Sequence, residues 1–485
     1  MSQQERRSER TLGRRDFLHS TMFSAGALAV AGVSPLLAAR AAGKPNVLFV
    51  FADEWRADDL GYAGNDDVPT PHLDAMARES INCTSMISGC PVCTPYRASL
   101  LTGQYWLTHG LFYNDRPLGT RAVSFAQAFK QAGYDTAYVG KWHVDGHGRS
   151  AFIPRERRQG FDYWKARECT HDYHNSMYYG DTPHPLRWEG YDAIAQTKDA
   201  IRYIREHDRK KPFLFVLSWG PPHTPHHTAP EANKRRIAPA ETLQVRPNVP
   251  EAMRDKARAA LAGYYAHITA LDDCIGDLRR TLKETGIEEN TILVFTTDHG
   301  YMIHSHGEFH KQMPWEESIR VPFLLQWPAL RGAAGHTIRM PINTPDLMPT
   351  LLGLAGVPIP QTVEGRDLSA VFRGERQEWD EAALILCAAP FHQWNFARGG
   401  REYRGVRTRR HTYVRDLKGP WLLYDNEADP YQLNNLVNKP EAAELQARLE
   451  TVLARKLHET GDEFRPAQYY MNQWNYTWDA GDAPS

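Results

Sequence analysis

Four short apolar segments, each followed by polar residues and separated by helical patterns, constrain the fold of this chain most strongly. The segments are residues 46–51, 136–139, 213–217 and 291–295, and helical spacing is found at 124–131, 197–207 and 251–285. Short buried strands that alternate with helices form a mostly parallel sheet with helices on both faces. The sequence therefore predicts an α/β fold with a mostly parallel central sheet flanked by helices.

Each of these predicted strands ends at side chains that can bind a metal or an anion. The tips are Asp53-Glu54, Gly140-Lys141-Trp142-His143, His223 and Asp298-His299-Gly300. In open parallel sheets, ligands bind in the crevice beyond the carboxyl ends of the strands. We therefore expect the four tips to converge on one site, with the composition of a metal-dependent hydrolytic centre.

Asp53, Glu54, Asp298 and His299 are the candidate metal ligands. Carboxylate oxygens favour Ca²⁺ or Mg²⁺, whereas several histidines would favour zinc. An isolated Asp-Glu pair is more often a helix cap or a solvated turn, but a second acidic strand tip favours the metal interpretation. The sequence predicts one divalent cation, Ca²⁺, with Mg²⁺ as the alternative.

Basic and imidazole side chains near the same tips are suited to an anionic substrate. The candidates are Arg97, Lys141, His143, His223 and Lys311. Preorganised donors of this kind stabilise charge that develops on substrate oxygens. Taken singly, each is more often a surface charge or a buried structural histidine. Pro225 interrupts the spacing of His223, His226 and His227, so we expect only one or two of these histidines to take part.

The C-terminal part of the chain has a different pattern. From about Glu381, short segments at 383–386, 403–408, 411–414 and 421–424 are separated by turn residues, and a helical pattern follows at 440–459. This order predicts a smaller α+β subdomain with an antiparallel sheet. The predicted organisation is a leader at 1–42, a catalytic domain at 43–380 and a C-terminal subdomain at 381–485.

The N-terminal 42 residues have the pattern of an export signal. Arg14-Arg15 and Phe17-Leu18 precede a weakly hydrophobic run at 22–39, and small residues at Ala41 and Ala42 offer a cleavage site. Paired arginines with such a run are typical of a twin-arginine signal peptide rather than of a retained membrane anchor. The sequence predicts a periplasmic or secreted protein that uses the twin-arginine translocase. A net charge of −1 gives no reason to expect a nucleic-acid partner.

The six cysteines are too sparse and irregularly spaced to form a disulfide framework. Only Cys90 and Cys93 lie close together, in the sequence Cys-Pro-Val-Cys. Such a pair can be a redox dithiol, half of a zinc site or a local disulfide. No second Cys-x-x-Cys or His pair lies at zinc-finger spacing in the sequence, which weakens the metal interpretation but leaves the other two open.

The sequence around Cys93 resembles the signature of the sulfatase family. Cys93-Thr-Pro95-Tyr-Arg97 followed by Thr102-Gly103 matches its C-x-P-x-R motif with a downstream T-G. Other family motifs follow in order: Gly140-Lys141-Trp142-His143, Pro222-His223, Asp298-His299-Gly300, Lys311, Glu316-Glu317-Ser-Ile-Arg320 and Leu423-Tyr424-Asp425. The resemblance spans about residues 45–461 and implies the alkaline-phosphatase-like fold. It also explains Pro95, which suits the first turn of a helix whose N-terminus faces an anion.

The resemblance implies a sulfatase mechanism in which Cys93 is first oxidised to Cα-formylglycine by a maturation enzyme. The hydrated aldehyde is then the nucleophile, activated by the metal and Asp298 and anchored by Arg97. Lys141, His223 and Lys311 would hold the sulfate, His223 or Lys311 would protonate the leaving alcohol, and His143 would remove the remaining hydroxyl proton. Two departures concern the metal: the family usually has Asp or Gln at Glu54 and often Asn at His299.

Two rival functions and the substrate stay open at this stage. A phosphonate monoester or phosphodiester hydrolase of the same superfamily can use the same nucleophile, and a Cys90–Cys93 dithiol protein is the rival from another class. Export favours an extracellular sulfated carbohydrate over a metabolite, and an aryl sulfate or choline-O-sulfate stays open as an alternative. The candidate substrate-binding residues are His171 and His174 in an aromatic loop, and His306 and His310 near Lys311. A purely structural loop at 171–179 is the alternative.

Overall fold

A computed structural model describes residues 43–330 and 335–484 of the 485-residue chain, so the predicted export signal at 1–42 lies outside the described residues. The strands are β1 (Asn46–Asp53), β2 (Ile81–Cys83), β3 (Met86–Ile87), β4 (Asp135–Lys141), β5 (Tyr163–Arg167), β6 (Met177–Tyr178), β7 (Leu186–Arg187), β8 (Phe213–Pro222), β9 (Thr291–Thr297), β10 (Arg320–Val321), β11 (Phe323–Gln326), β12 (Thr337–Ile338), β13 (Ile342–Asn343), β14 (Ala382–Cys387), β15 (Tyr403–Thr408), β16 (His411–Asp416) and β17 (Gly419–Asp425).

The helices alternate with these strands over most of the chain. They are α1 (Pro71–Glu79), α2 (Cys93–Thr102), α3 (Trp106–His109), α4 (Phe125–Gln131), α5 (Asp192–Glu206), α6 (Glu231–Lys234), α7 (Arg254–Glu284), α8 (Glu316–Ile319), α9 (Leu347–Leu354), α10 (Ser369–Phe372), α11 (Ala443–Glu459) and α12 (Ala467–Gln473). The predicted α/β class is therefore confirmed.

The central sheet has eight strands in the order β12-β2-β11-β9-β1-β8-β4-β5. The five strands from β9 to β5 are parallel, with Phe49 beside Val216 on one side and Val294 on the other. Strand β11 runs antiparallel to both β9 and β2. All four strands predicted from the sequence belong to the parallel part, and they place their carboxyl ends along one edge.

Alternate residues of β1 pack into two separate cores, one on each face of the sheet. Val47, Phe49 and Phe51 face the core that includes α2, α4 and α9. Leu48, Val50 and Ala52 face the core that includes α1, α5 and α7. Because successive side chains of a strand point to opposite faces, a continuous apolar run is what a strand covered on both sides requires. This packing fixes the register of β1 and hence the position of Asp53 at its end.

A second sheet of four antiparallel strands, β14-β15-β16-β17, lies in the C-terminal region. Helix α11 contributes Leu449 and Leu453 to the core beneath it, and the aromatic tail contributes Tyr470 and Met471 from α12. The predicted small antiparallel sheet and the helix that follows it are both present, and the aromatic tail packs against the same core. Within residues 43–330 and 335–484, no helix is long and apolar enough to cross a membrane.

Candidate active site

The side chain of Arg97 contacts all four of the predicted strands at or near their carboxyl ends. Its guanidinium donates to the carbonyl of Lys141, the last residue of β4, at 2.7 Å. It also donates to Ser218 Oγ, within β8, at 2.8 Å. It also contacts Asp298 Oδ2 at 3.1 Å and Asp53 Oδ2 at 3.4 Å. Arg97 is only 1% exposed. One buried guanidinium therefore links the ends of four strands that the sequence predicted to converge.

Cys93 is the first residue of α2, and the helix N-terminus points at the same strand edge. Val92 has extended backbone before the helix, Pro95 is its third residue, and Gly103 ends it with φ at +65°. The first turn of a helix has free N–H groups and a positive dipole end, which favour a bound anion. The sequence thus places residue 93 where an anionic substrate is stabilised by the backbone itself.

Three side chains beside Cys93 form the best candidate for a metal centre. Asp53, Asp298 and His299 are fully buried, and one ligand atom from each of them and from Cys93 lies within 4.8 Å of the others. His299 Nε2 lies 3.6 Å from Asp53 Oδ1, 3.5 Å from Asp298 Oδ1 and 3.3 Å from Cys93 Sγ. Two carboxylates and one imidazole whose ligand atoms converge in this way are suited to one divalent cation.

Glu54, the fourth predicted ligand, lies on the other side of Asp53. Its Oε1 contacts Lys311 Nζ at 2.6 Å and His223 Nε2 at 3.3 Å, and it is grouped with Asp53 and His223 rather than with Asp298. Its Oε2 is buried without a hydrogen-bond partner among the described residues. Burial raises the pKa of Glu54 to about 7, although Lys311 opposes this effect. Because Oε2 has no partner among the described residues, binding of the cation by Glu54 stays a prediction.

The ammonium groups of two lysines lie close to Cys93. Lys141 Nζ lies 3.5 Å and Lys311 Nζ 3.4 Å from Cys93 Sγ, and Lys141 also pairs with Asp53. Burial alone would lower the pKa of each ammonium, but the neighbouring carboxylates and thiol raise both pKa values above the usual one for lysine. Both lysines therefore stay charged. They are 7% and 5% exposed, so an anion can still reach them.

The thiol of Cys93 is a poor nucleophile in this environment. Burial raises its pKa to about 12, and the negative charge of Asp53 adds to that rise while the two lysines oppose it. A thiol that stays protonated does not attack or exchange disulfides efficiently. The six cysteines, all within the described residues, are free thiols. Cys90 packs among apolar side chains of the C-terminal core, so nothing in the described structure supports a local disulfide.

Two site residues have backbone angles in the left-handed region. Glu54 has φ of +67° and His143 has φ of +58°. Such conformations are costly for residues other than glycine and concentrate at functional sites. The two motif glycines have a steric reason: a Cβ at Gly140 would lie 1.9 Å from the carbonyl oxygen of Ser218, and one at Gly300 would lie 2.0 Å from that of Glu317. Both allow backbones to approach closely beneath the site.

His143 is buried beside the cluster and is held by a residue that the sequence analysis missed. Its Nε2 lies 3.1 Å from Asp115 Oδ1, and its Nδ1 is buried without a partner among the described residues. Burial, together with the charge of Lys141, lowers the pKa of His143 to about 3. Asp115 lies in a loop that has neither a strand pattern nor a known motif, so no local signal marked it.

The predicted substrate-binding histidines do not all reach the cluster. The ring of His171 stacks on that of His223 with centroids 4.4 Å apart, and His310 precedes Lys311. His174 instead bonds the carbonyl of Thr228, and His306 stacks on Trp315 and contacts Asn248. Of the His223-x-x-His-His sequence, His226 packs against Tyr264 and Tyr301 away from the cluster. Of these residues, the structure places His171 against His223 and places Lys311, the residue after His310, in the cluster.

Comparison with known proteins identifies the family to which this geometry belongs. The sequence profile of the sulfatase family matches residues 45–357, which include every residue of the cluster. The chain belongs to the sulfatase family. A second profile, that of the C-terminal region of N-sulphoglucosamine sulphohydrolase, matches residues 304–459 and covers the antiparallel sheet. The enzyme is therefore a sulfuric ester hydrolase of the alkaline-phosphatase-like superfamily.

Several relatives match this sulfatase over nearly its whole length. It is 47% identical over 440 residues to an ulvan-active sulfatase of Formosa agariphila, covering 89% of this chain and 85% of that protein. It is 31% identical to an endo-4-O-sulfatase of Bacteroides thetaiotaomicron, covering 87% and 94% respectively. A solved structure from work on glycosaminoglycan metabolism by Bacteroides thetaiotaomicron superposes with a TM-score of 0.79 at 28% identity, covering 89% and 99%.

Proposed function

We propose that this sulfatase removes sulfate from a sulfated polysaccharide through an oxygen nucleophile derived from Cys93. One observation carries the proposal: Cys93 begins a helix, and its Sγ lies within 3.5 Å of Lys141, Lys311, Asp53 and His299. A protonated thiol has no evident use among these groups. A hydrated aldehyde at the same position would present its oxygens to the same cations. The Sγ atom marks where those oxygens lie after oxidation of Cys93 to formylglycine.

The residues present fit one divalent cation, for which we propose Ca²⁺ with Mg²⁺ as the alternative. Asp53, Asp298 and His299 would hold it, and the unpartnered Oε2 makes Glu54 the fourth candidate. The donor set is rich in carboxylate oxygen, which hard cations prefer. When bound, such a cation supplies Lewis-acid stabilisation of negative charge on oxygen. The guanidinium of Arg97 offsets part of the negative charge of Asp53 and Asp298.

The remaining residues have separate roles in a two-step transfer. Lys141, Lys311 and His223 bind the sulfate oxygens and stabilise the charge that develops on them. His223 or Lys311 gives a proton to the leaving alcohol. Both side chains contact Glu54, and Lys311 also contacts Cys93. The sulfate then sits on an oxygen of residue 93. His143 removes the proton of the other hydroxyl, which re-forms the aldehyde and expels sulfate.

The substrate class rests on the relatives and on the edge of the site. The ulvan-active and endo-4-O-sulfatase relatives carry names that refer to sulfated saccharides. His171, which is exposed and stacked on His223, offers an aromatic and hydrogen-bonding surface at the mouth. We therefore propose a sulfated carbohydrate rather than an aryl sulfate as the natural substrate. We also propose export through the twin-arginine translocase and maturation of Cys93 by a formylglycine-generating enzyme of the host.

The rival function is hydrolysis of phosphonate monoesters or phosphodiesters with the same nucleophile. The experiment is a comparison of kcat/KM for aryl sulfate, phosphodiester and phosphonate substrates with one leaving group, followed by a panel of sulfated saccharides. This ratio measures differential stabilisation of the transition states. The proposal predicts that sulfate is preferred and that at least one sulfated saccharide is desulfated. A preference for phosphonate or phosphodiester, with every saccharide inert, would replace the proposal by its rival.

A further inference from the structure

Asp115 connects the proposed base of this enzyme to the guanidinium of Arg149. Its Oδ1 lies 3.1 Å from His143 Nε2 and 3.1 Å from Arg149 Nε, and its Oδ2 accepts from Arg149 at 2.7 Å. Asp115 is about one-quarter exposed, whereas His143 is buried. The bidentate contact fixes the plane of the carboxylate. The ring of His143 is thus held through one nitrogen by a group that cannot rotate freely.

The chemistry of this contact assigns the two nitrogens of His143. An ionised carboxylate only accepts hydrogen bonds, so Nε2 must carry the proton. Burial alone would raise the pKa of Asp115, but His143 and Arg149 outweigh it and lower that pKa, which keeps the carboxylate ionised. The lone pair of neutral His143 therefore lies on Nδ1. That atom is buried and has no partner among the described residues.

We propose that Asp115 is a positioning residue that sets the tautomer of His143, so that Nδ1 is the base of the second step. The inference rests on the proposed function, because it assigns an atom to that step. Nδ1 takes the proton of the free hydroxyl on residue 93, the C=O bond forms from that oxygen, and the C–O bond to sulfate breaks with its electron pair. Water then adds to the aldehyde, and the proton on Nδ1 leaves to solvent. Asp115 stabilises the imidazolium in between.

The neighbouring residue gives an independent reason for this placement. Asn114 Oδ1 accepts from the backbone N–H of Thr94 at 3.2 Å, directly after residue 93. Consecutive side chains of one loop therefore contact the nucleophile helix and the base. The loop is fixed from outside, since Tyr113 donates to Asp482 at 2.7 Å and Arg116 contacts Asp479 at 3.3 Å. These contacts set the distance between the nucleophile and the base from a single rigid segment.

The test measures the two steps separately in Asp115→Asn, with Asp115→Glu as the conservative variant. An asparagine can donate to Nε2 and so favour the wrong tautomer, which leaves the first step intact and slows the second. The expected result is a fall in kcat of about 100-fold, within the range of general-base catalysis, with a smaller fall in Asp115→Glu. Rapid-mixing experiments should show a burst of alcohol close to one per active site. Mass spectrometry should find a sulfo group on the peptide that contains residue 93.

The control is Asp162→Asn, which removes another aspartate paired with basic residues, Lys130 and Arg155, in a loop that does not contact His143. It should leave kcat, the burst and the adduct unchanged. If Asp115→Asn loses activity with neither burst nor adduct, or keeps the wild-type kcat, the inference is wrong although the proposed function stands. If the matured wild-type enzyme releases no sulfate from any sulfate ester, the proposed function itself fails. A melting temperature within about 2 °C of wild type confirms that the fold is intact.

Discussion

Two charge clusters of this enzyme contain the same number of acidic and basic residues but are built differently. The site cluster consists of Asp53, Glu54, Asp298, Arg97, Lys141 and Lys311, and the junction cluster consists of Asp58, Glu316, Glu317, Arg246, Arg320 and Arg407. The junction cluster ties the C-terminal sheet to the catalytic region, because Arg407 belongs to β15 and Glu316 to α8. Each cluster has three acids and three bases, so net charge alone does not distinguish them.

The difference lies in the donors and in how completely they are used. Glu316 accepts from Arg407 Nε and Nη2, both at 2.9 Å, and from Arg320 Nε at 2.9 Å. In the described residues, no carboxylate or guanidinium atom of the junction cluster is buried without a partner, whereas Glu54 Oε2 and Arg97 Nε of the site cluster are. Arginine locks a carboxylate in a fixed plane, while a lysine is a mobile point charge that a sulfate can recruit. One cluster therefore stabilises the fold and the other is incomplete without ligands.

The largest expected effect tests this incompleteness at the metal centre. Asp298→Ala should lose the divalent cation and lower kcat/KM by about 10⁴-fold, because cation stabilisation of a transition state is worth several kcal/mol. Metal analysis by mass spectrometry checks the stoichiometry. The matched control is Asp273→Asn, from the separate group of His72, Asp272 and Asp273, which should keep both metal and activity. Stoichiometric metal in Asp298→Ala would show that the ligand assignment is wrong.

The junction cluster should respond in stability rather than in catalysis. Glu316→Gln leaves Arg407 without its carboxylate partner and Arg320 with Asp58 alone, and breaking a buried pair costs about 3–5 kcal/mol in the free energy of unfolding. Denaturant unfolding measures the loss, and activity per folded molecule should stay at the wild-type level. Glu427→Gln is the control, because its contact with Arg410 is 3.8 Å long and exposed. A folded Glu316→Gln of wild-type stability would remove the distinction between the clusters.

The reverse pattern is expected for a lysine of the site cluster. Lys311→Met removes an ammonium from the sulfate site and should lower kcat by about 100-fold, as loss of one charge-stabilising donor typically does. The melting temperature should change by no more than about 2 °C, since Glu54 can then take up a proton in place of the lysine contact. Steady-state kinetics and thermal unfolding of one preparation test both parts. A large destabilisation with unchanged kcat would make Lys311 a structural residue.

The smallest expected effect is on the pH dependence of stability, in which the junction cluster and two buried histidines contribute over different pH ranges. Burial lowers the pKa of His109 and of His267 to about 3, so the unfolded chain binds more protons at each position as pH falls below about 6.5. Stability should therefore decline from pH 6.5 downwards, by at most about 1.4 kcal/mol per pH unit for each histidine. Arg407 and Arg320 outweigh burial and lower the pKa of Glu316, so its contribution is lost only below about pH 4.5.

Thermal unfolding of wild type and His267→Gln between pH 7 and pH 4 distinguishes the two ranges. The variant should show a flatter decline from about pH 6.5 down to pH 4, because the unfolded and folded pKa values of His267 lie on either side of this range. The loss from Glu316 should steepen the decline of both proteins equally, and only below about pH 4.5. Equal slopes over the whole interval would mean that His267 does not contribute. Because His267 lies outside both clusters, this result does not depend on the metal.

The local hydrophobic pattern of the sequence predicted the longer strands of the central sheet and missed the shorter ones. The apolar runs identified β1, β4, β8 and β9, and the carboxyl ends of these strands extend two to five residues beyond the predicted runs because the polar tips continue the ladder. Strands β2, β11 and β12 were missed, since two to four residues give too little periodicity to read. The export signal and the domain boundaries stay predictions.

The site residues that belong to sequence motifs could be predicted from the sequence. Cys93, Arg97 and the strand tips came from motifs, and the structure brings them together. Asp115 and the grouping of Glu54 with Lys311 depend on contacts between loops distant in the sequence. The stretch from Glu316 to Arg320 was recognised only as a motif, and its structural role in the junction cluster emerged from pairing with Arg407. Side-chain pairing across loops has no local signature.

The most direct test of the central claim is the chemical state of residue 93 in active enzyme. Peptide mass spectrometry should show residue 93 lighter by about 18 Da, the exchange of sulfur for oxygen with loss of two hydrogens. The modified fraction should equal the fraction of active sites in a set of preparations with graded maturation, while Cys90 stays a thiol in all of them. Fully active enzyme with an unmodified thiol at residue 93, or full activity in Cys93→Ala, would contradict the account.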